Sequence, residues 1–244
     1  MEDAATCDVC IVGGGIAGLT AGIFTARAGL DTLVVRGGES ILRRNAHLEN
    51  VPGFPAGVNP RTFLDLTERQ AERAGCAFLD GEVTDVARDA SGFDVQTAGD
   101  ALRADFVLVA TKNATDFLAD LDVGIIRRGS KTYLDVDEYG RTDVEGLYAA
   151  GRVAEKRHQT IVAAGHGADV AMTVVEDADV PFYHDWVAPA GYFTDRDREV
   201  PPGCEEIDDE ERLRRERESM DAMREAFAEP HPDDPTPHPS LREE

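Results

Sequence analysis

Ile11-Val12-Gly13-Gly14-Gly15-Ile16-Ala17-Gly18 is the strongest pattern in this chain. It follows a short apolar run, Val9 to Val12, and opens a segment with helical spacing at Leu19, Ile23, Phe24 and Ala26. Gly13, Gly15 and Gly18 therefore match G-x-G-x-x-G between a strand and a helix, the setting in which the pattern means dinucleotide binding. Gly13 allows a tight turn, Gly15 lets backbone approach a pyrophosphate, and Gly18 lets helix and strand pack closely. The anion would sit on free N–H groups at the positive end of the helix dipole. A second strand, Asp31 to Val35, follows at the expected distance.

Outward from that turn, a loop rich in Gly, Pro and Asn runs through 44–60. The spacing predicts a helix over 61–75, with Phe63, Leu64, Leu66 and Ala71 on it and Pro60 as its start signal. Strands are expected around 77–87, 92–97 and 105–110; Ala104 to Ala110 is a near-continuous apolar run, as in a buried parallel strand. A strand at Gly146 to Ala150 leads into Gly151, and a helix over 159–176 carries Ile161, Val162, Val170 and Val174. Alternating strands and helices indicate an α/β fold. Past Pro181 the character changes. Residues 205–228 read as a charged helix, and 229–244, with Pro230, Pro232, Pro235, Pro237 and Pro239, as disordered or extended. The expected organisation is a domain over 1–180, an aromatic segment plus charged helix over 181–228, and a Pro-rich tail over 229–244.

The 244 residues carry 48 acidic and 25 basic side chains, a net charge of −23, and only Lys112, Lys131 and Lys156 are lysines. Self-repulsion of this size is tolerated when salt screens it, so the composition looks like that of a halophile's cytosolic protein. It argues against nucleic acid and anionic membranes as partners. No run approaches the roughly 18 apolar residues of a membrane span. The acidic start Met1-Glu2-Asp3 shows no signal peptide, and Cys7, Cys10, Cys76 and Cys204 do not form a secreted disulfide framework. A cytoplasmic location is expected.

Several segments, taken together and in order, resemble one family. They are the glycine-rich turn followed by Ala26-Arg27-Ala28-Gly29-Leu30, then Glu49-Asn50-Val51-Pro52-Gly53-Phe54-Pro55, Val107-Leu108-Val109-Ala110-Thr111, Thr142 to Gly151, and Gln159 to Ala168. They look like the FAD-binding domain of the thioredoxin-reductase-like flavoproteins, within the pyridine nucleotide-disulfide oxidoreductases. The resemblance covers about residues 8–176. It implies a Rossmann-like FAD/NAD(P)-binding domain, a central parallel sheet with helices on both faces and a small antiparallel β-meander. It also implies FAD as cofactor, with direct NAD(P)H binding as an option. The loop at Asn50-Val51-Pro52-Gly53 would lie along the flavin, Ala110-Thr111 beneath the cofactor, Gly151 at the ribityl chain, and Gln159 at a helix N-terminus facing the ring. The full expected cofactor set is Gly13, Gly14, Gly15, Ile16, Ala17, Gly18, Arg36, Gly37, Asn50, Val51, Pro52, Gly53, Val83, Ala110, Thr111, Lys112, Gly151, Arg152, Gln159 and Thr160.

The departures from that family are informative. Only residues 112–141 separate the two turns between which the family inserts a second nucleotide domain, and one βαβ unit needs about 30 residues. A second Rossmann-type domain does not fit there, and the redox C-x-x-C that the family carries in it is absent. The acidic residue expected after the second strand is Arg36, suited to stacking on adenine or meeting a 2′-phosphate; Glu39 follows Gly37-Gly38. The family's Gly-Asp becomes Gly151-Arg152, and Lys112 replaces the Gly of Ala-Thr-Gly.

Cys7-Asp8-Val9-Cys10 spells C-x-x-C, but within a strand an odd separation points the two side chains to opposite faces, so buried structural cysteines are expected. Cys76 reads as core. Cys204, expected to be exposed near a helix start, and His158, beside Gln159, are the candidate catalytic residues. His166 is expected to pack inside its helix, and Tyr183, Trp186, Tyr192 and Phe193 to pack the tail, cover the flavin or form a dimer contact.

The expected function is a single-domain FAD-binding oxidoreductase, unable to act as a complete NADPH:thioredoxin reductase, with electrons from a separate redox partner or from NAD(P)H bound directly. The resemblance leans towards a homodimer. Two competing readings are a non-enzymatic NADP(H)-type sensing module with a remodelled site, and a partner-binding subunit with a vestigial one. No metal site is expected: His231 and His238 lack neighbouring ligands at suitable spacing.

Overall fold

The computed structural model describes residues 5–241; the acidic start Met1-Glu2-Asp3 and the last three residues lie outside them. The chain divides into two compact units. One is the chain up to Ala178 together with the segment from Pro235; the other is Asp179–Asp234. This differs from the expected divisions at 180 and 228, since the second unit runs past the charged helix and the remaining tail clusters with the first.

The first unit holds a seven-stranded sheet of β1 (Ala5–Val12), β2 (Thr32–Arg36), β3 (Ala77–Asp80), β4 (Val83–Asp89), β5 (Gly92–Thr97), β6 (Ala101–Val109) and β9 (Leu147–Ala149). Their order is β3-β2-β1-β6-β5-β4, with β9 paired to β6. β7 (Ile125–Arg128) and β8 (Lys131–Leu134) form a separate hairpin within 112–141. The pairs β3-β2, β2-β1, β1-β6 and β6-β9 are parallel, whereas β6-β5 and β5-β4 are antiparallel. β6 spends its first part, Ala101–Ala104, on β5 and its last, Val107–Val109, on β9.

The strand expected over 77–87 is broken at Gly81-Glu82 into β3 and β4. These stand at opposite ends of the strand order yet only Gly81 and Glu82 separate them, a reach of roughly 10 Å from Asp80 to Val83. The β4-β5 meander must therefore fold back over the sheet, and Val83, Val86, Phe93 and Val95 share a buried cluster with Cys10, Val12 and Val35.

The alternation of strand side chains divides the core. A Cβ on Gly18 or Gly22 would meet Ile11, so that face of β1 lies against α1 (Ile16–Arg27). α1 packs on α2 (Pro60–Ala74) and α3 (Thr160–Asp177). Cys10 and Val12 point to the other face, whose cluster contains strands and short 3-10 turns but no α-helical residue among those described. Helices on both faces were expected; the meander occupies the second face instead. Each fully buried Val, Leu or Ile in these layers is worth about 1.5–3 kcal/mol relative to exposure.

α2 starts as its sequence predicts. Asn59 Oδ1 accepts from the Arg61 N–H at 2.9 Å, Pro60 sits in the first turn, and Gly75 closes the helix in the left-handed region.

In the second unit β10 (Trp186–Pro189) pairs in parallel with β11 (Cys204–Ile207), followed by α4 (Asp209–Ala226). Residues 204–207 are thus a strand, and the charged helix begins at Asp209, where Asp208 Oδ1 accepts from the Glu211 N–H at 2.8 Å. Among the described residues no helix is long and apolar enough to cross a membrane.

Candidate functional site

β1, β2, β6 and β9 end at a common level. Gly13 N–H donates to Val35 O at 2.9 Å, Ala110 N–H to Val12 O at 2.8 Å, and Ala150 N–H to Val109 O at 2.8 Å. A cavity of about 830 Å³ opens at these carboxyl ends, where an open α/β sheet places its ligands.

Ala17 is the junction that shapes it. A Cβ on Gly167 would lie 2.1 Å from Ala17 O, and one on Gly151 2.8 Å from Ala17 Cβ, while Gly151 itself holds φ +73°. α1, α3 and the Gly151 turn therefore converge at distances that only glycine permits. A Cβ on Gly18 would lie 1.9 Å from Gly13 O, so the glycine-rich turn is closed onto its own helix. Neither Gly15 nor Gln159, the residues preceding α1 and α3, makes a side-chain capping bond. The N-terminal turns of both helices open into one cavity, with free N–H groups and dipoles that favour negative charge.

Gly13, Gly14, Gly15, Ile16 and Ala17 line the cavity on the α1 side, and Gly37 and Val83 at the β2–β3 end. Ala110, Thr111 and Lys112 line it after β6; Asn50, Arg152, His158, Gln159 and Thr160 complete the α3 side. Asn50 Nδ2 donates to Gln159 Oε1 at 2.8 Å, tying the Asn-Val-Pro-Gly loop to the start of α3.

Six expected residues do not line it. Gly18 and Gly151 act from beneath, through the close approaches above. Val51 is buried in the cluster with Ile16 and Leu48, and Pro52 and Gly53 stand outside the lining. Arg36 is turned away: its guanidinium bonds Asp80 at 2.9 Å and Glu68, and stacks 4.8 Å over Phe78. The adenine or 2′-phosphate contact expected of Arg36 would have to compete with these two carboxylates. Glu39 and Glu82 line that end instead. Glu82 was missed because the strand break at Gly81 was missed; Arg44, Phe117 and Ala163 carry no local signal.

The opposite end gathers cations, with one carboxylate, Glu49, whose Oε1 lies 2.7 Å from His47 Nδ1. Arg44, Lys112 and Arg152 line it with His158. Burial, then the nearby Arg152, Arg44 and Lys131 charges, pulls the Lys112 ammonium below its usual range. Burial, then Arg152, Lys112 and Lys131, likewise lowers His158, disfavouring its imidazolium form. Beneath it, His166 Nδ1 accepts from the Gly151 N–H at 2.9 Å, and burial holds its imidazole down to about 4. Its Nε2 is buried without a partner.

Cys7, Cys10 and Cys76 are held as thiols. Cys7 and Cys10 both lie in β1, and burial pushes Cys7 to about 12 and Cys10 higher still. Burial also raises Cys76, to about 11. Cys204 opens β11, not a helix, donates its Sγ–H to His184 O at 3.3 Å, and is not among the lining residues. Among the described residues no group of three His, Cys, Asp or Glu is placed to hold a metal ion.

The family model for pyridine nucleotide-disulphide oxidoreductases matches residues 7–111 and 58–168. A thioredoxin reductase of Streptomyces coelicolor is 39% identical over 110 residues, 43% of this chain and 34% of that protein. The NADPH-dependent thioredoxin reductase 3 of Arabidopsis thaliana is 33% identical over 112 residues, 43% of this chain and 21% of that one. The matched region is about a third or less of the length of these relatives. Among solved structures, thioredoxin reductases from Streptococcus pyogenes (TM-score 0.66, 14% identity, 72% of this chain and 99% of that one) and Gloeobacter violaceus (0.60, 17%, 72% and 96%) share the fold. With a glycine-rich turn, an Asn-Val-Pro-Gly loop and a second helix N-terminus around one cavity, the chain belongs to the pyridine nucleotide-disulphide oxidoreductase family.

Proposed function

We propose that this chain is an FAD-binding oxidoreductase that works without a second nucleotide domain and receives electrons from a separate redox protein or from NAD(P)H bound directly. The observation that carries this is the pair of uncapped helix N-termini, of α1 and α3, opening into one cavity of about 830 Å³. One suits a pyrophosphate on the Gly13–Gly18 turn; the other suits an electron-rich ring system. FAD, when bound, supplies the electron transfer. The chain's own residues bind and orient it: the glycine turn the phosphates, Glu39 or Glu82 a ribose hydroxyl, Asn50, Gln159 and Thr160 the distal part. His158 is placed to hold a proton there.

Residues 112–141, where the family's inserted domain would stand, form a 3-10 turn and the β7-β8 hairpin, which supports the single-domain reading. The NADP(H)-sensor reading is disfavoured, because Glu39 and Glu82 would repel a 2′-phosphate and Arg36 faces elsewhere. The acidic surface suits molar salt, and a cytoplasmic setting and a homodimer remain part of the proposal.

The test is a visible absorption spectrum of protein kept in molar KCl, supplied with FAD and then desalted. Flavin bands near 1:1 stoichiometry are expected; their absence would sink the reading.

A further inference from the structure

The chain spends its few lysines in one place. Lys112 lines the cavity, Lys131 acts electrostatically on Lys112 and His158, and Lys156 acts on His166. Lys156 also closes the turn that carries Arg152, through its N–H to Gly151 O at 3.2 Å. On a protein with net charge −23, this is a local concentration of cations, and the Glu49 carboxylate that lines the cavity beside Asn50 is held by His47. Among the described residues Arg44, Lys112 and Arg152 have no ion pair, whereas many other arginines are matched, as Arg36 is by Glu68 and Asp80, Arg103 by Asp89 and Asp94, and Arg141 by Asp177. Holding three uncompensated cations around one cavity costs mutual repulsion, which an anionic ligand would relieve.

The cofactor's own phosphates do not account for them. The glycine turn and the start of α1 bind a diphosphate through backbone N–H groups, with no cationic side chain required. Arg152 and Lys112 stand where the family resemblance leads one to expect an aspartate and a glycine, so both are charges added to that arrangement. They come from two segments, after β6 and after β9, and Arg44 from a third, yet all three line the same cavity. A small anion fits better than an acidic protein, because these side chains line the cavity itself.

We propose that Arg44, Lys112 and Arg152 form an anion subsite, separate from the glycine turn, for the phosphate or carboxylate group of a small-molecule substrate. This rests on the reading that FAD occupies the glycine turn. Hydrogen bonds from cationic donors to such a group are short and strong, so each contact contributes measurably to affinity.

The test uses FAD-supplied protein at constant ionic strength, titrated separately with inorganic phosphate and with succinate, reading thermal unfolding; the flavin bands are recorded on the same samples. A saturable rise in Tm with one anion is expected, and which anion gives it distinguishes a phosphate from a carboxylate group. In the Lys112→Gln/Arg152→Gln double variant, and independently in Arg44→Gln, the apparent Kd should weaken about tenfold or more. No saturable response to either anion, or an equal response in folded variants, overturns the subsite. A wild-type spectrum without flavin sinks the parent reading instead. Anion binding that the variants lose would still support the subsite, and its absence would overturn it.

Discussion

The two ends of the cavity differ in charge on the same backbone plan: carboxylates alone at one, three cations with the single carboxylate Glu49 at the other. At the β2–β3 end Glu39 and Glu82 face the space where Gly37 and Val83 also stand. At the α3 end Arg44, Lys112 and Arg152 face it with His158. Close backbone approach builds the frame they share, Gly18 onto Gly13 and Gly151 and Gly167 onto Ala17. The difference lies entirely in side chains added to that frame. A fold can thus keep the geometry of a cofactor site while the chemistry of one end is rewritten, because backbone N–H groups and helix dipoles do not depend on the neighbouring side chains.

The largest expected effect breaks the frame shared by both ends. Gly18→Val places a Cβ 1.9 Å from a backbone oxygen, with nothing flexible to give way. Destabilisation of at least about 3 kcal/mol is expected, read as a lower denaturation midpoint with loss of flavin. A variant with wild-type stability would show that the turn is looser than described.

His166 probes the frame beneath the cationic end. Its imidazole titrates near 6.5 when unfolded and at about 4 when folded, so the unfolded state binds more protons between those values. Stability present above 6.5 should be lost as pH falls towards 4, by up to about 3 kcal/mol. His166→Asn should lack this component. Denaturation midpoints of both proteins at about pH 7 and about pH 4.5 check it, and identical pH slopes would refute it.

Gly15→Asp separates folding from binding. Gly15 has ordinary backbone angles, and a Cβ there would meet only Ser40 Oγ at 3.7 Å. The new carboxylate can cap α1, worth about 0.5–1 kcal/mol, while occupying and repelling the anion position. Unchanged or higher stability with FAD affinity reduced about 100-fold is expected. Equilibrium dialysis with FAD would reveal it.

At the acidic end, Glu39→Gln should weaken FAD by about tenfold and leave phosphate or succinate binding unaltered. The smallest effect belongs to Arg36→Gln. Its partly exposed ion pairs with Glu68 and Asp80 contribute less than about 1 kcal/mol, and FAD affinity should not move. A marked loss of flavin in that variant would restore Arg36 to the site.

Much of this was legible in the order of residues. The strand–turn–helix at Val9 to Ala26, the capped α2 and the apolar β6 are local patterns, and the structure contains them. The break at Gly81-Glu82 was not legible, because two short strands separated by two residues read as one. Both the folded-back meander and the lining position of Glu82 depend on that break. The ion pairs of Arg36 were not legible for a related reason: Glu68 and Asp80 are far away in sequence and meet it only across β2, β3 and α2. The start of α4 was placed four residues early since Cys204–Ile207 are extended to pair with β10, a long-range bond that charge patterning does not reveal.

The sequence by itself determined the family, the glycine frame and the departures at Lys112 and Arg152, since these are matters of residue type at a given position. Tertiary structure alone decided which charges meet. Arg44, Lys112 and Arg152 are distant in the chain and converge because β6, β9 and the loop after β2 all end at one edge of the sheet. Electrostatic energy depends on separation in space and on burial, and neither is written in sequence separation.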